Sequence, residues 1–197
     1  MPRPGGRARL FVAARVPEEH LRALGDAILP VRPSLANARW TETATQHLTL
    51  KFLGWTRRAD VDAVAEVLAP TARSYRAATV SLGRLGAFPS LRRARVLWAG
   101  VEDPDGLLAR LAGALDRAYA ALGWESEARP YTPHLTLARF KGFASLDAGA
   151  LPELPRLEPF RVESVTLYES VLHPAGARYE VLSVVPLGGA NESGGSR

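Results

Sequence analysis

The sequence predicts an α+β fold of two similar lobes that face each other across a central cleft, with sheets inward and helices outside. Two observations lead there. The tetrapeptide His-Leu-Thr-Leu occurs twice, as His47-Leu48-Thr49-Leu50 and His134-Leu135-Thr136-Leu137, 87 positions apart. Hydrophobic periodicity gives the order β-α-β-α-β-β and then α-β-β-β, so each half of the chain carries one copy on a strand.

In chain order, residues 1–8 carry Pro, Gly and Arg without periodicity and read as a loose arm. A strand follows over 9–16. Pro17-Glu18-Glu19 opens a helix with proline in its first turn and acids where the dipole favours them. Leu21, Leu24 and Ile28 form its apolar stripe, and His20, among charged neighbours, reads as a solvated surface residue. After Arg39-Trp40-Thr41 comes the first repeat strand, expected to close at Gly54, then a short amphipathic helix over 60–69 ended by Pro70. Strands over 77–85 and 95–101 flank a loop carrying Phe88, Pro89, Arg92 and Arg93. A loop of aromatic and arginine residues suits contact with a nucleobase and its phosphate, although Phe88 is equally at home in a core.

The longest helix spans 103–122, with Leu107, Leu108, Leu111, Leu115 and Ala118 on one face and Gly123 as its stop. The second repeat strand covers 133–140. Residues 142–157 read as a loop with one helical turn, and strands over 159–168 and 178–186 close the domain through a turn in which His173 is exposed. The tail from 188 is rich in Gly and Ser and is expected to be disordered, which leaves one bilobal domain over 9–187.

At 197 residues, 47% hydrophobic and 23% charged, the composition is that of an ordinary globular protein. There is no cysteine, which excludes disulfides and thiolate metal sites. No apolar run is long enough for a bilayer span or a signal peptide, so a cytoplasmic protein acting as a monomer and without membrane contact is expected. The net charge of +5 suits a polyanionic partner such as RNA. The cations are nearly all arginine, with Lys51 and Lys141 the two lysines, a bias that genomic base composition explains as readily.

The repeat carries the chemistry. Side chains alternate along a strand, so His and Thr of each copy share one face while the two leucines anchor the other. A single His-x-Thr on a strand is ordinarily structural. Two identical copies in matching contexts are not something a core requires. Two imidazoles converging on one spot supply a general base for an attacking hydroxyl or water and a general acid for a leaving oxygen. An unperturbed pKa of about 6.5 keeps both forms accessible near neutrality. The two threonine hydroxyls are suited to donate to phosphate oxygens, where charge builds in the transition state. Arg139 lies five residues after His134 and by alternation should face away from it, unless the strand bulges.

The paired His-x-Thr phrase resembles the signature of the two-histidine phosphoesterases, and its surroundings are similar to the LigT-like RNA 2',3'-cyclic phosphodiesterases, the 2'-5' RNA ligase family. The matching stretches run in family order. They include Arg9-Leu10-Phe11-Val12-Ala13, His47 through Gly54, Gly86-Ala87-Phe88-Pro89, Arg95-Val96-Leu97-Trp98, Pro133 through Arg139, Leu167-Tyr168-Glu169-Ser170 and Ala177-Arg178-Tyr179-Glu180-Val181. The resemblance implies a pseudo-twofold pair of lobes, each a mostly antiparallel sheet, and leaves the strand order open. It implies hydrolysis of RNA 2',3'-cyclic phosphate ends to 2'-phosphates without a cofactor or metal, and a reverse 2'-5' ligation. By residue-for-residue likeness His47 is the proton donor and His134 the acceptor, and Thr49, Thr136 and Arg139 bind phosphate. Loop composition, not the likeness, puts forward Phe88, Arg92 and Arg93 as base or RNA contacts.

Three rivals remain. One is a related phosphodiesterase acting on small cyclic nucleotides or 2'-5' oligonucleotides, which would share the same histidines. Another is an RNA-binding module without turnover, against which stands the retention of both histidines and both threonines. A metallohydrolase is weaker, because neither phrase contains a carboxylate.

Overall fold

The computed structural model describes residues 6–173 and 176–188. The expectations of a loose N-terminal arm before residue 6, a disordered tail beyond 188 and an exposed His173 side chain lie outside the described residues and side chains.

Strands β1 (Arg7–Ala14), β2 (Ala38–Trp40), β3 (Leu48–Arg57), β4 (Ala78–Phe88), β5 (Ala94–Glu102), β6 (His134–Ala144), β7 (Phe160–Val162), β8 (Ser164–His173) and β9 (Gly176–Pro186) alternate with helices α1 (Glu18–Ile28), α2 (Val61–Arg73) and α3 (Leu107–Ala120). The strands form one sheet in the order β7-β4-β5-β6-β3-β1-β8-β9, with β2 also on β6. Every pairing of named strands is antiparallel. The two repeat strands β3 and β6 sit at the middle of this order and pair only at Leu48↔Leu135 among the described residues. Beyond that point β2 takes the edge of β6, and β3 follows β1. The sheet thus divides into two lobes hinged at one residue pair.

The helices cover the core faces. α2 and α3 lie side by side on β3, β8 and β9, and the Tyr119 hydroxyl donates to the Val64 carbonyl at 3.0 Å to tie them together. α3 starts where the Asp103 carboxylate accepts from the Leu107 and Leu108 amides at 2.9 and 2.8 Å, satisfying two otherwise unpaired N–H groups. Lys51, one position past the first repeat, turns into this core. Its Nζ donates to Asp116 at 2.7 Å and to the Glu125 carbonyl at 2.6 Å.

Several sequence expectations are corrected. β3 does not close at Gly54 but continues to Arg57, because Gly54 adopts a φ of +67° and absorbs a register shift against β1. Pro70 does not end α2. The helix continues to Arg73, with Leu68 and Ala72 buried on either side of the proline, so core packing outweighs the missing N–H. The strand expected over 159–168 is two strands at opposite ends of the sheet, β7 on β4 and β8 on β1. An alternating pattern with no Gly or Pro break cannot show such a crossing. His20 is not solvated. It is 6% exposed, bonded through Nε2 to the Glu158 carbonyl at 2.7 Å and packed edge-on against Phe160, because the segment before β7 folds over α1.

Leu135 is fully buried at the joint, so Leu135→Ala should lower the unfolding free energy by about 2–5 kcal/mol in urea titration. A cost below about 1 kcal/mol would show that the joint is not packed as described.

Candidate active site

Leu48, Leu50, Leu135 and Leu137 are buried, while His47, Thr49, His134 and Thr136 are half-buried on the opposite face. The antiparallel register through Leu48↔Leu135 sets His47 on the side of Thr136 and Thr49 on the side of His134. A local twofold therefore relates the two phrases, and each histidine shares its side of the joint with the other phrase's threonine.

The same backbone contact orients both imidazoles. His47 Nδ1 lies 2.8 Å from the Thr45 carbonyl oxygen, and His134 Nδ1 lies 2.8 Å from the Thr132 carbonyl oxygen. A carbonyl only accepts, so Nδ1 must carry the proton and each neutral ring presents Nε2 as the free, basic nitrogen. Aromatic rings brace both. Phe11 stacks on His47 at 4.6 Å between centroids and Tyr179 meets it edge-on at 5.2 Å. Phe88 meets His134 edge-on at 5.0 Å. The Tyr131 hydroxyl donates to the Thr49 carbonyl at 3.0 Å, so the turn that orients His134 also holds the first repeat strand.

Arg139 faces the histidines. The register of β5 on β6 skips one residue, with Leu97 opposite Ala138 and Trp98 opposite Thr136, so Leu137 and Ala138 both turn inward and the following residue returns to the histidine face. The first repeat carries the same shift, Val12 opposite Lys51 and Ala13 opposite Thr49. The residue equivalent to Arg139 in that half is Phe52, half exposed. The rows align across each lobe: Phe88, Val96, Arg139 and Arg39 in one, Phe52, Phe11 and Tyr168 in the other.

Burial pushes His47 down to about 4, against the raising effect of the Thr45 carbonyl, and the positive charge of Arg139 and the neighbouring His134 lower it further. Burial likewise lowers His134, opposed by the Thr132 carbonyl and reinforced by Arg139. Both imidazoles are neutral at pH 7 in the free protein.

Of the residues singled out in the sequence, His47, Thr49, His134, Thr136, Arg139 and Phe88 share the cleft face. Arg92 and Arg93 do not sit with Phe88. They lie exposed on the short turn after β4, where the Arg93 guanidinium covers the ring of Phe143 at 4.6 Å. Sequence reasoning missed Phe11, Tyr179 and Phe52. Phe52 was within reach, since it follows His47 at the same offset as Arg139 follows His134. A concavity of about 800 Å³ between β4 and residues 148–159 contains neither histidine.

Comparison with known proteins agrees with this geometry. The family model of the 2'-5' RNA ligase superfamily matches residues 17–173. The RNA 2',3'-cyclic phosphodiesterase of Methanothermobacter thermautotrophicus is 32% identical over 188 residues, covering 92% of this chain and 100% of that protein. The protein of that name from Aeropyrum pernix is 32% identical over 160 residues, covering 77% of this chain and 90% of its own. Among solved structures, E. coli LigT in its apo form matches with a TM-score of 0.79 at 26% identity, over 93% of this chain and 99% of that one. A Thermus thermophilus protein, TT0787, matches with a TM-score of 0.79 at 30% identity, over 93% and 100%.

Removing the guanidinium charge in Arg139→Gln should raise the pKa of both histidines, followed by proton NMR titration of the imidazole resonances. A shift confined to His134 would contradict a site in which one arginine faces both rings.

Proposed function

Because the chain belongs to the 2'-5' RNA ligase superfamily, we propose that it hydrolyses RNA 2',3'-cyclic phosphate ends to 2'-phosphates by acid and base catalysis from His47 and His134. One observation carries the mechanism: the two rings are oriented by mirrored Nδ1–H to carbonyl bonds that leave both Nε2 atoms free on one face. Displacement at phosphorus places the attacking and leaving oxygens roughly in line, and two bases related by a local twofold approach such a phosphate from opposite sides.

In this reading His134 Nε2 takes a proton from water as it attacks phosphorus. His47, protonated at Nε2, gives its proton to the 3'-oxygen as that bond breaks, and the phosphate remains on the 2'-oxygen. Thr49, Thr136 and Arg139 bind the non-bridging oxygens, where hydrogen bonds and charge count most in the transition state. Phe88 and the exposed ring of Phe52 flank the site on opposite lobes and suit contact with the nucleobases. With the 5'-hydroxyl of a second RNA end in place of water, the two groups keep these roles, His134 taking the hydroxyl proton and His47 protonating the departing 3'-oxygen, and the product is a 2'-5' linkage; cleaving that linkage back exchanges the roles.

Burial lowers the pKa of both imidazoles in the free protein, so neither is a ready acid before substrate binds. The assignment of His47 as donor rests on family likeness and requires the substrate to raise His47. A phosphodiester anion does so, since it offsets Arg139 and favours an imidazolium beside it. The competent free form has His47 protonated and His134 neutral, and its fraction falls once pH exceeds the higher of the two values. Both are lowered, so kcat/KM should already be declining by about pH 6.5. The alkaline limb of kcat, set in the complex, should lie at higher pH. Coincident alkaline limbs above pH 7 would contradict this.

His47→Ala and His134→Ala should each reduce turnover of a 2',3'-cyclic phosphate by about two to four orders of magnitude while remaining folded. Thr49→Val and Thr136→Val should each cost about 1–3 kcal/mol in kcat/KM. Chelator should leave the wild-type rate unchanged. Wild-type turnover in either histidine variant would sink the mechanism, and metal-dependent turnover would restore the metallohydrolase.

A further inference from the structure

We propose that a cationic strip leading away from the site along β6, β5 and β2 binds the RNA strand upstream of the terminal nucleotide, so that the protein acts on oligonucleotide ends in preference to cyclic mononucleotides. The inference rests on the reading that the cyclic phosphate lies between His47 and His134.

The strip begins at Arg139, whose direct partner across the β2 ladder is Arg39. Like charges opposite one another on paired strands destabilise a sheet, so this pair is better explained by an anionic ligand than by folding. From Arg139 onward the exposed side chains of β6 are cationic or aromatic, Arg139, Lys141 and Phe143, with the exposed Gly142 between the last two. At the far end the guanidinium groups of Arg93 and Arg95 cover the half-exposed ring of Phe143, at 4.6 and 5.2 Å from its centroid. An aromatic platform edged by arginines is a general device for holding single-stranded nucleic acid, stacking a base while the cations meet the phosphates.

The strip's cations have no carboxylate partner, as is true of most arginines among the described residues, and so are available to an anionic ligand. Arg22, Arg57, Arg58 and Arg161 each lie within 4 Å of a carboxylate. Among the described residues, no ion pair involves Arg39, Arg93, Arg95, Arg139 or Lys141. Between Arg139 and Ala144 β6 bulges at Gly142, whose φ is +88°, so that five steps of β6 lie against two of β5 and the Phe143 platform follows Arg139 on the same lobe. In this reading a nucleoside 2',3'-cyclic phosphate is held at the histidines alone and makes no contact with Phe143. An RNA carrying that phosphate at its 3' end can make that contact.

The test uses full-length protein, an RNA of about ten nucleotides ending in 2',3'-cyclic phosphate, and a nucleoside 2',3'-cyclic phosphate. The variant is R95Q/F143A, two exposed positions away from the histidines. Wild type should favour the RNA in kcat/KM by about tenfold or more. The variant should lose about tenfold on the RNA through KM, the size expected for one stacked base, and nothing on the mononucleotide. Equal wild-type values for the two substrates, or equal losses on both in the variant, would overturn the strip. Fluorescence anisotropy of the same RNA, read at several salt concentrations, separates this failure from failure of the catalytic reading. Weaker RNA binding and a shallower salt dependence in the variant support the strip even if neither substrate is hydrolysed. Unchanged RNA binding, or capture of a polyglutamate peptide in place of RNA, overturns it.

Discussion

Everything at the site depends on one antiparallel contact between the two repeat strands, Leu48 against Leu135. Both leucines are fully buried, so the hydrophobic core holds the joint while the residues on either side of it present His and Thr to the opposite face. A longer ladder would make a continuous central sheet with its histidines in a plane. A single paired position lets β3 and β6 diverge, and β2 fills the space along β6. The two histidines are thereby placed on opposite sides of a local twofold, as the proposed division into acid and base requires. The tertiary fold supplies what the identical phrases cannot, which is a direction of approach.

The twofold is kept in the backbone and broken in the side chains. Both repeat strands carry the same bulge two residues after the threonine and the same Nδ1 to carbonyl bond. The residue that each bulge returns to the cleft face is Phe52 in one lobe and Arg139 in the other. The two rims therefore differ, with Phe52 beside Phe11 in one lobe and Arg139 in a row with Phe88 in the other. Burial lowers the pKa of both imidazoles in the free protein, and the charge of Arg139 adds to it. In the proposed mechanism a bound phosphate anion offsets the arginine and favours the protonated form of His47.

Much of this was legible in the sequence. The buried leucines and presented His-x-Thr follow from strand alternation, and the two-lobed plan follows from the repeat. What was not legible has physical causes in tertiary contact. Alternation alone turned Arg139 away, and only the bulge at Leu137 and Ala138 reverses it. His20 looked solvated among charged neighbours, but a segment 138 positions later folds over it. The strand expected over 159–168 keeps its alternating pattern straight across the point where the chain passes between lobes. Arg39 gave no signal, since its place opposite Arg139 is a matter of strand pairing.

The central claim is that the two histidines divide acid and base duties, and leaving-group dependence tests it most directly. Opening the cyclic phosphate toward a 2'-phosphate expels a ribose alkoxide, which needs a proton. A p-nitrophenyl phosphodiester expels a far more stable anion that does not. The measurement is the ratio of rates on these two substrates for His47→Ala and for His134→Ala. The account predicts that His47→Ala recovers much of its activity on the p-nitrophenyl ester while His134→Ala does not, since water must still be activated. Recovery in His134→Ala alone would exchange the two roles, and equal recovery in both would contradict the division altogether.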